Sequence, residues 1–143
     1  MDIRSILLGK MENDVKLLCQ EIQQISAEVK AVSMNIDNFN RERLEKEKYV
    51  TQFDNEVRDC HSEIEESRKN KSPRELKSLL AELRTRITDI EKNRNLVKQD
   101  IAFIDDKIRK GNLEIRNLLN KKDDHVMKIE DIKIEIERVK KIN

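Results

Sequence analysis

Apolar residues in this chain fall into two heptad series, and the two series are out of phase. From Leu8 the first runs through Met11, Val15, Leu18, Ile22, Ile25, Val29, Val32, Ile36 and Phe39. It lapses at Arg43 and Lys46 and resumes at Val50, Phe53, Val57, Cys60 and Ile64. Steps that alternate between three and four keep one stripe of a helix turned toward a partner helix. With Leu8 as an a position, 15 of the 18 a and d sites from 8 to 67 are apolar. The second series starts at Leu76 and continues through Leu80, Leu83, Ile87, Ile90, Val97, Ile101, Ile104, Ile108, Ile115, Leu118, Ile129, Ile132, Ile136 and Val139. Here 15 of 19 sites are apolar, the exceptions being Arg94, Gly111, Lys122 and His125.

The first series predicts an a position at 78, whereas the second has one at 80. Two residues turn a helix by about 200°, so one continuous rod would carry its two stripes on nearly opposite sides. The helix has to break between them. The break falls in "RKNKSPREL" at residues 68–76, which holds the only proline of the chain. Ser72, Pro73 and Glu75 form Ser-Pro-x-Glu, a capping box with proline at the first helical position. Arg68 and Lys69 suit the carbonyl end of the preceding helix. Asn70 is suited to the left-handed conformation that ends many helices. The expected organisation is a first coiled-coil helix over 1–67, a loop over 68–72 and a second coiled-coil helix over 73–143.

The expected fold is all-α: a long coiled coil of two helices, each of roughly 60–70 residues. An antiparallel helical hairpin is favoured over a jointed parallel dimer. If core layers pair residues whose numbers sum to 140, every a site meets a d site, with Ile64 opposite Leu76, Cys60 opposite Leu80, Val57 opposite Leu83 and Phe53 opposite Ile87. Lys46 and Arg94 then share one layer. Flanking charge points the same way. The e and g sites of the first helix carry Glu12, Asp14, Glu21, Glu28, Glu42, Glu47, Asp54, Glu56 and Glu63. Those of the second carry nine bases, Lys77, Arg84, Arg86, Lys98, Lys107, Lys121, Lys128, Lys133 and Lys140, diluted by five acids. Residues 1–71 have a net charge of −3 (12 bases, 15 acids) and residues 72–143 of +4 (18 bases, 14 acids). Such sites choose partners in coiled coils. Ile at both a and d in the second helix leans toward more than two helices. Gly111 leaves a gap in the seam, and "MNIDNFN" at 34–40 is poor in helix formers, yet the heptad phase runs through both.

Charged residues make up 41% of the 143 and aromatics 3%, the profile of long helices. A net charge of +1 supplies no overall field for a polyanion, and acids interleave with bases nearly throughout, so no nucleic-acid partner is expected. The basic run "ERVKKIN" is the one segment suited to an acidic surface. Cys19 and Cys60 are the only cysteines; their wide spacing suggests a reducing compartment. The apolar cluster near the N-terminus is too short for a secretory core or a membrane span. An intracellular location, cytoplasmic or nuclear, is expected.

No catalytic residues, no cofactor site and no metal site emerge. Neighbours on a helix diverge by about 100°, so Cys60 and His61 read as a core thiol beside a surface imidazole. The residues singled out are the turn and cap, Asn70, Ser72, Pro73 and Glu75, and the seam. The seam is carried by Leu18, Ile22, Ile25, Val29, Val57, Cys60 and Ile64 with Leu76, Leu80, Leu83, Ile87, Ile101, Ile104 and Ile108. Off-seam apolar residues on the second helix, among them Leu113, Leu119, Val126 and Ile134, exceed what a two-stranded coil needs and suggest a further helix there. The expected function is that of a non-enzymatic structural or scaffold coiled-coil protein. It would act by helix–helix association in a homo- or hetero-oligomer, as in cytoskeletal, kinetochore, centrosomal or tethering assemblies. The alternative is an adaptor that binds a membrane surface or charged polymer through its ends.

Overall fold

The computed structural model describes residues 2–142; Met1 and Asn143, which the heptad pattern assigns to the ends of the two helices, lie outside the described residues. Two α-helices of 68 residues each, α1 (Ile3–Asn70) and α2 (Pro73–Lys140), pack together as an antiparallel hairpin. Both run unbroken through their weak points, α1 across 34–40 and α2 across Gly111. Asp2 starts α1, accepting from the Arg4 N–H at 3.2 Å on its side chain and from the Ile6 N–H at 3.1 Å on its carbonyl, as an N-cap does. Ser72 starts α2 in the same way: its hydroxyl accepts from the Glu75 N–H at a long 3.4 Å and its carbonyl from the Leu76 N–H at 2.9 Å.

The turn is tighter than the sequence pattern suggests. Arg68, Lys69 and Asn70 remain helical, so the link is Lys71 and Ser72 alone instead of 68–72. Asn70 has no left-handed backbone; the Lys71 N–H instead continues the helical ladder to the Ser67 carbonyl at 3.0 Å. Ser67 is a d site and is buried, so α1 holds its stripe one layer beyond Ile64.

That extension resets the register. Arg43 with Asp105 and Arg94 with Asp54 each sum to 148; Lys46 with Asp100 and Glu21 with His125 each sum to 146. A Cβ on Gly111 would lie closest to Ile36, a pair summing to 147. Facing layers therefore lie one heptad from the expected sum of 140. The a and d sites still meet, because the displacement is a whole heptad, but Lys46 no longer faces Arg94. The tighter link and the separation of those two cations favour the same choice. Cys60 and Ile64 pack in one cluster with Leu83 and Ile90, flanked by Phe53, Val57, Leu79, Leu80 and Ile87. Leu76, expected opposite Ile64, is half-buried near the turn.

The hairpin comprises two compact units, a terminal unit of Met1–Asp37 with Arg109–Asn143 and a turn unit of Asn38–Ile108. In both, every described residue that is buried lies on a heptad a or d site: Ile25, Cys60, Ile64, Ser67, Leu83, Ile90, Ile104, His125, Ile129, Ile136 and Val139. The other seam residues singled out above, Leu18, Ile22, Val29, Val57, Leu80, Ile87, Ile101 and Ile108, are half-buried. Two helices cannot enclose a side chain on all sides, and even Cys60 and Leu83 keep 3% of their surface.

Candidate interaction surface

In the turn unit the polar breaks in the seam are neutralised by acids on the flank of the opposite helix. Arg43 Nε donates to Asp105 at 2.6 Å, and a second guanidinium nitrogen of Arg43 pairs with Glu47 one turn along α1. Its proton is held more firmly than in an ordinary arginine, first by the Asp105 hydrogen bond and then by the Asp105 and Glu47 charges. Lys46 reaches Asp100 at 3.4 Å, and Arg94 donates through Nη1 to Asp54 at 2.8 Å, leaving its buried Nε without a hydrogen-bond partner. The acids that dilute the basic flank of α2, Asp100 and Asp105, thus have a specific use. The pattern of e-to-g attraction conceals it, because their partners sit in the seam. Exposed apolar surface is partly covered here: the Lys107 ammonium lies 4.5 Å from the Phe103 ring centre and 5.4 Å from that of Phe39, within cation–π range.

The terminal unit differs outside its seam. Its own polar breaks are Lys122, half-buried, and His125, buried, with Nε2 at 2.6 Å from Glu21 Oε2 but out of line for a hydrogen bond, and with Nδ1 also unpartnered. Arg4 of α1 donates to the Lys140 carbonyl, satisfying one of the acceptors left free at the end of α2. Around this seam lie, among the described residues, eleven exposed large apolar side chains: Ile3, Ile6, Leu7, Leu17 and Met34 on α1, and Leu113, Leu119, Val126, Met127, Ile134 and Ile142 on or just beyond α2. The turn unit, of nearly equal length, exposes four: Leu44, Tyr49, Leu96 and Phe103.

The α1 face of the terminal unit has an order that apolar counting misses. Leu17, Gln20, Gln24, Ala27, Ala31 and Met34 are all exposed and repeat at steps of three and four, about 200° around the helix from seam residues such as Ile25. No charge interrupts them from 17 to 34. Outer faces of soluble helices are ordinarily charged, and of the ten equivalent positions on α1 in the turn unit six are charged, Arg41, Glu45, Lys48, Asp59, Glu66 and Lys69, and four are not, Asn38, Gln52, Asn55 and Ser62. The signal legible in the sequence is therefore the missing charge, and Gln and Ala hide it from a search for hydrophobes.

Near the turn a groove of about 470 Å³ is lined by His61, Arg68, Arg84 and Thr88 around Ile64, Leu80 and Ile87, with Arg68 drawn to Glu65 at 3.6 Å. Cys60 turns into the core and His61 onto the surface; Cys19 is exposed. Among the described residues, no three His, Cys, Asp or Glu side chains are grouped to hold a metal ion, and no helix is long and apolar enough to cross a membrane. Comparison of the chain with family profiles, curated proteins and solved structures finds no match.

Proposed function

We propose that the protein is a non-enzymatic structural scaffold that joins helices of other polypeptides, or of its own copies, to the terminal half of its hairpin. The observation that carries this reading is the uneven distribution of exposed apolar side chains, eleven on the terminal unit against four on the turn unit. Singly scattered exposed apolar residues are normal on a protein surface, but their concentration in one unit supports reading that unit as the contact region. On a helix the natural occupant is another helix packing its own ridges into the stripe. The turn unit, with its closed cluster and paired charges, serves as the rigid element that fixes the spacing of the two helices.

Site-specific photocrosslinking in the source cells tests this. A photoreactive residue at Leu17, Met34, Leu113, Met127 or Ile134 is expected to give discrete adducts with other polypeptide chains, and one at Leu44 or Leu96 far fewer. Equal labelling of both units, or none in the terminal unit, would remove the scaffold reading. Salt-sensitive co-sedimentation with liposomes or filaments, in place of such adducts, would establish the adaptor alternative instead.

A further inference from the structure

We infer that the uncharged outer face of α1 in the terminal unit is a self-association seam, occupied by the same face of a second copy of this chain running parallel to it. This rests on the scaffold reading and names one partner for it. The face has the 3-4 spacing of a coiled-coil core from Leu17 to Met34, and all six of its positions are exposed in the single hairpin. Its two flanks carry opposite charge. One is lined by Asp14, Glu21 and Glu28, each seven residues apart, the other by Lys16, Gln23 and Lys30 at the same interval.

That arrangement decides the orientation. In a parallel pair, each flank meets the opposite flank of its neighbour, about five residues further along. Lys16 then faces Glu21 of the second copy, whose carboxylate also lies 2.6 Å from His125 of its own chain, and Gln23 faces Glu28 of the second copy, each pair formed twice by symmetry. In an antiparallel pair, like flanks meet: the three acids of one copy face the three acids of the other, and lysine faces lysine. Only the parallel arrangement is free of repulsion. It also stacks Gln20 and Gln24 each on its own copy, where side-chain amides can donate to and accept from one another. A polar residue at a core position of this kind fixes register and strand number at some cost in stability. Ala27 and Ala31 let the two backbones approach closely. α2 of the same unit has apolar residues on its outer side but intersperses them with Asp124, Asp131 and Arg138, and carries no comparable stripe.

Sedimentation equilibrium of the purified full chain reads the outcome. The expected mass is 34.0 kDa, twice the 17.0 kDa chain. Ala27→Lys, which places like charges side by side in the seam, is expected to return the mass to that of one chain. Its helical circular dichroism should be unchanged, because Ala27 is exposed in the hairpin. Asn55→Lys, on the outer face of the turn unit, leaves the dimer intact. Lys16→Glu weakens association at least tenfold at low salt and less at high salt. Orientation is read separately with Leu17→Cys in a chain whose Cys19 and Cys60 are serine: parallel copies place position 17 beside its equivalent and close an interchain disulfide, whereas antiparallel copies hold the two thiols many residues apart. A wild-type chain that stays monomeric, a dimer indifferent to Ala27→Lys, or no interchain closure at position 17 overturns the inference. A monomer that still gives photoadducts with other polypeptides at Leu17 would overturn self-association while leaving the scaffold reading standing.

Discussion

The turn unit and the terminal unit follow the same heptad rule and have nearly the same length, yet they use charge in opposite ways. The turn unit admits three cations into its seam and neutralises each with an acid from the opposite flank, Arg43 with Asp105, Lys46 with Asp100 and Arg94 with Asp54. The outer face of its α1 segment carries charge at six of ten positions, and its buried residues Cys60, Ile64, Leu83 and Ile90 form one contiguous cluster. The terminal unit breaks its seam with Gly111, Lys122 and His125 and has an uncharged stripe on the outside of α1 from Leu17 to Met34. The heptad seam specifies the hairpin, and the positions outside the seam distinguish the two units: among the described residues the terminal unit exposes more large apolar side chains, the surface that the scaffold proposed above would use.

The largest expected effect falls in the turn unit. Leu83 is among the most enclosed residues and sits in the cluster with Cys60, Ile64 and Ile90. Leu83→Ala is expected to lose about 3 kcal/mol in chemical denaturation. The matching change in the terminal unit, Ile129→Ala, removes a side chain that is 8% exposed and is expected to lose about 2 kcal/mol. Equal losses would mean that the terminal seam is as well packed as the turn seam, and the contrast between the units would shrink to their surfaces.

The register gives the next test. In a chain lacking Cys19 and Cys60, Ile64→Cys with Leu83→Cys places two thiols in one layer of the observed register, and mild oxidation should close them within one chain. A closed loop of this size stabilises by up to about 3 kcal/mol. Val57→Cys with Leu83→Cys, a layer of the register summing to 140, should stay open, because the two sites are then a heptad apart along the helix axes. Closure of the second pair and not the first would restore the looser turn and return Lys46 to Arg94.

What could be read from the sequence divides along the same line. Phase and spacing within 8–67 and 76–139 locate both helices and the break, because burying an apolar stripe is the dominant local demand on such a chain; the direction reversal is read from the matching of a with d sites and from flank charge. The absolute register was not legible. Displacing one helix by a heptad leaves every a site facing a d site, so apolar pattern alone is degenerate, and the degeneracy is lifted by three ion pairs and a two-residue link. Net flank charge, acidic on α1 and basic on α2, pointed to the right partner helix but concealed the minority acids, Asp100 and Asp105, that do the pairing. The outer stripe of α1 was equally hidden, since Gln20, Gln24, Ala27 and Ala31 raise no hydrophobic signal and only the interval without charge marks them.

Removing one of those ion pairs separates the effect of charge from that of packing in the turn unit. Asp54→Ala leaves the Arg94 guanidinium, half-buried in the seam, with neither its acid nor a partner for Nε. Because the pair is partly screened by water, the expected loss is about 1 kcal/mol. Arg94→Leu, which fills the layer and removes the buried cation, should be neutral or stabilising. A loss on Arg94→Leu as large as on Asp54→Ala would show that the ion pair contributes specificity and stability together.

The smallest effects come from the two glycines, both in the terminal unit. Each is helical, so replacing it with alanine removes about 1 kcal/mol of unfavourable helix propensity. At Gly9 nothing lies within 4 Å of an added Cβ, and Gly9→Ala should show most of that gain, reduced somewhat by fraying near the start of α1. At Gly111 the heptad pattern predicts a gap, but Ile36 fills it: an added Cβ would meet Ile36 Cγ1 at 3.0 Å and Cδ1 at 3.1 Å. Ile36 is a half-buried seam residue whose χ1 is stiff in a helix, so the terminal methyl can yield more readily than the branch itself. The propensity gain and the displacement of Ile36 then offset each other, and Gly111→Ala should change stability by less than about 0.5 kcal/mol. Thermal denaturation of the two single variants decides it. A gain at Gly111 equal to that at Gly9 would mean that Ile36 moves freely and that the terminal seam is loosely packed at this layer. A clear loss at Gly111 would mean that small-against-large packing there is as tight as anything in the turn unit.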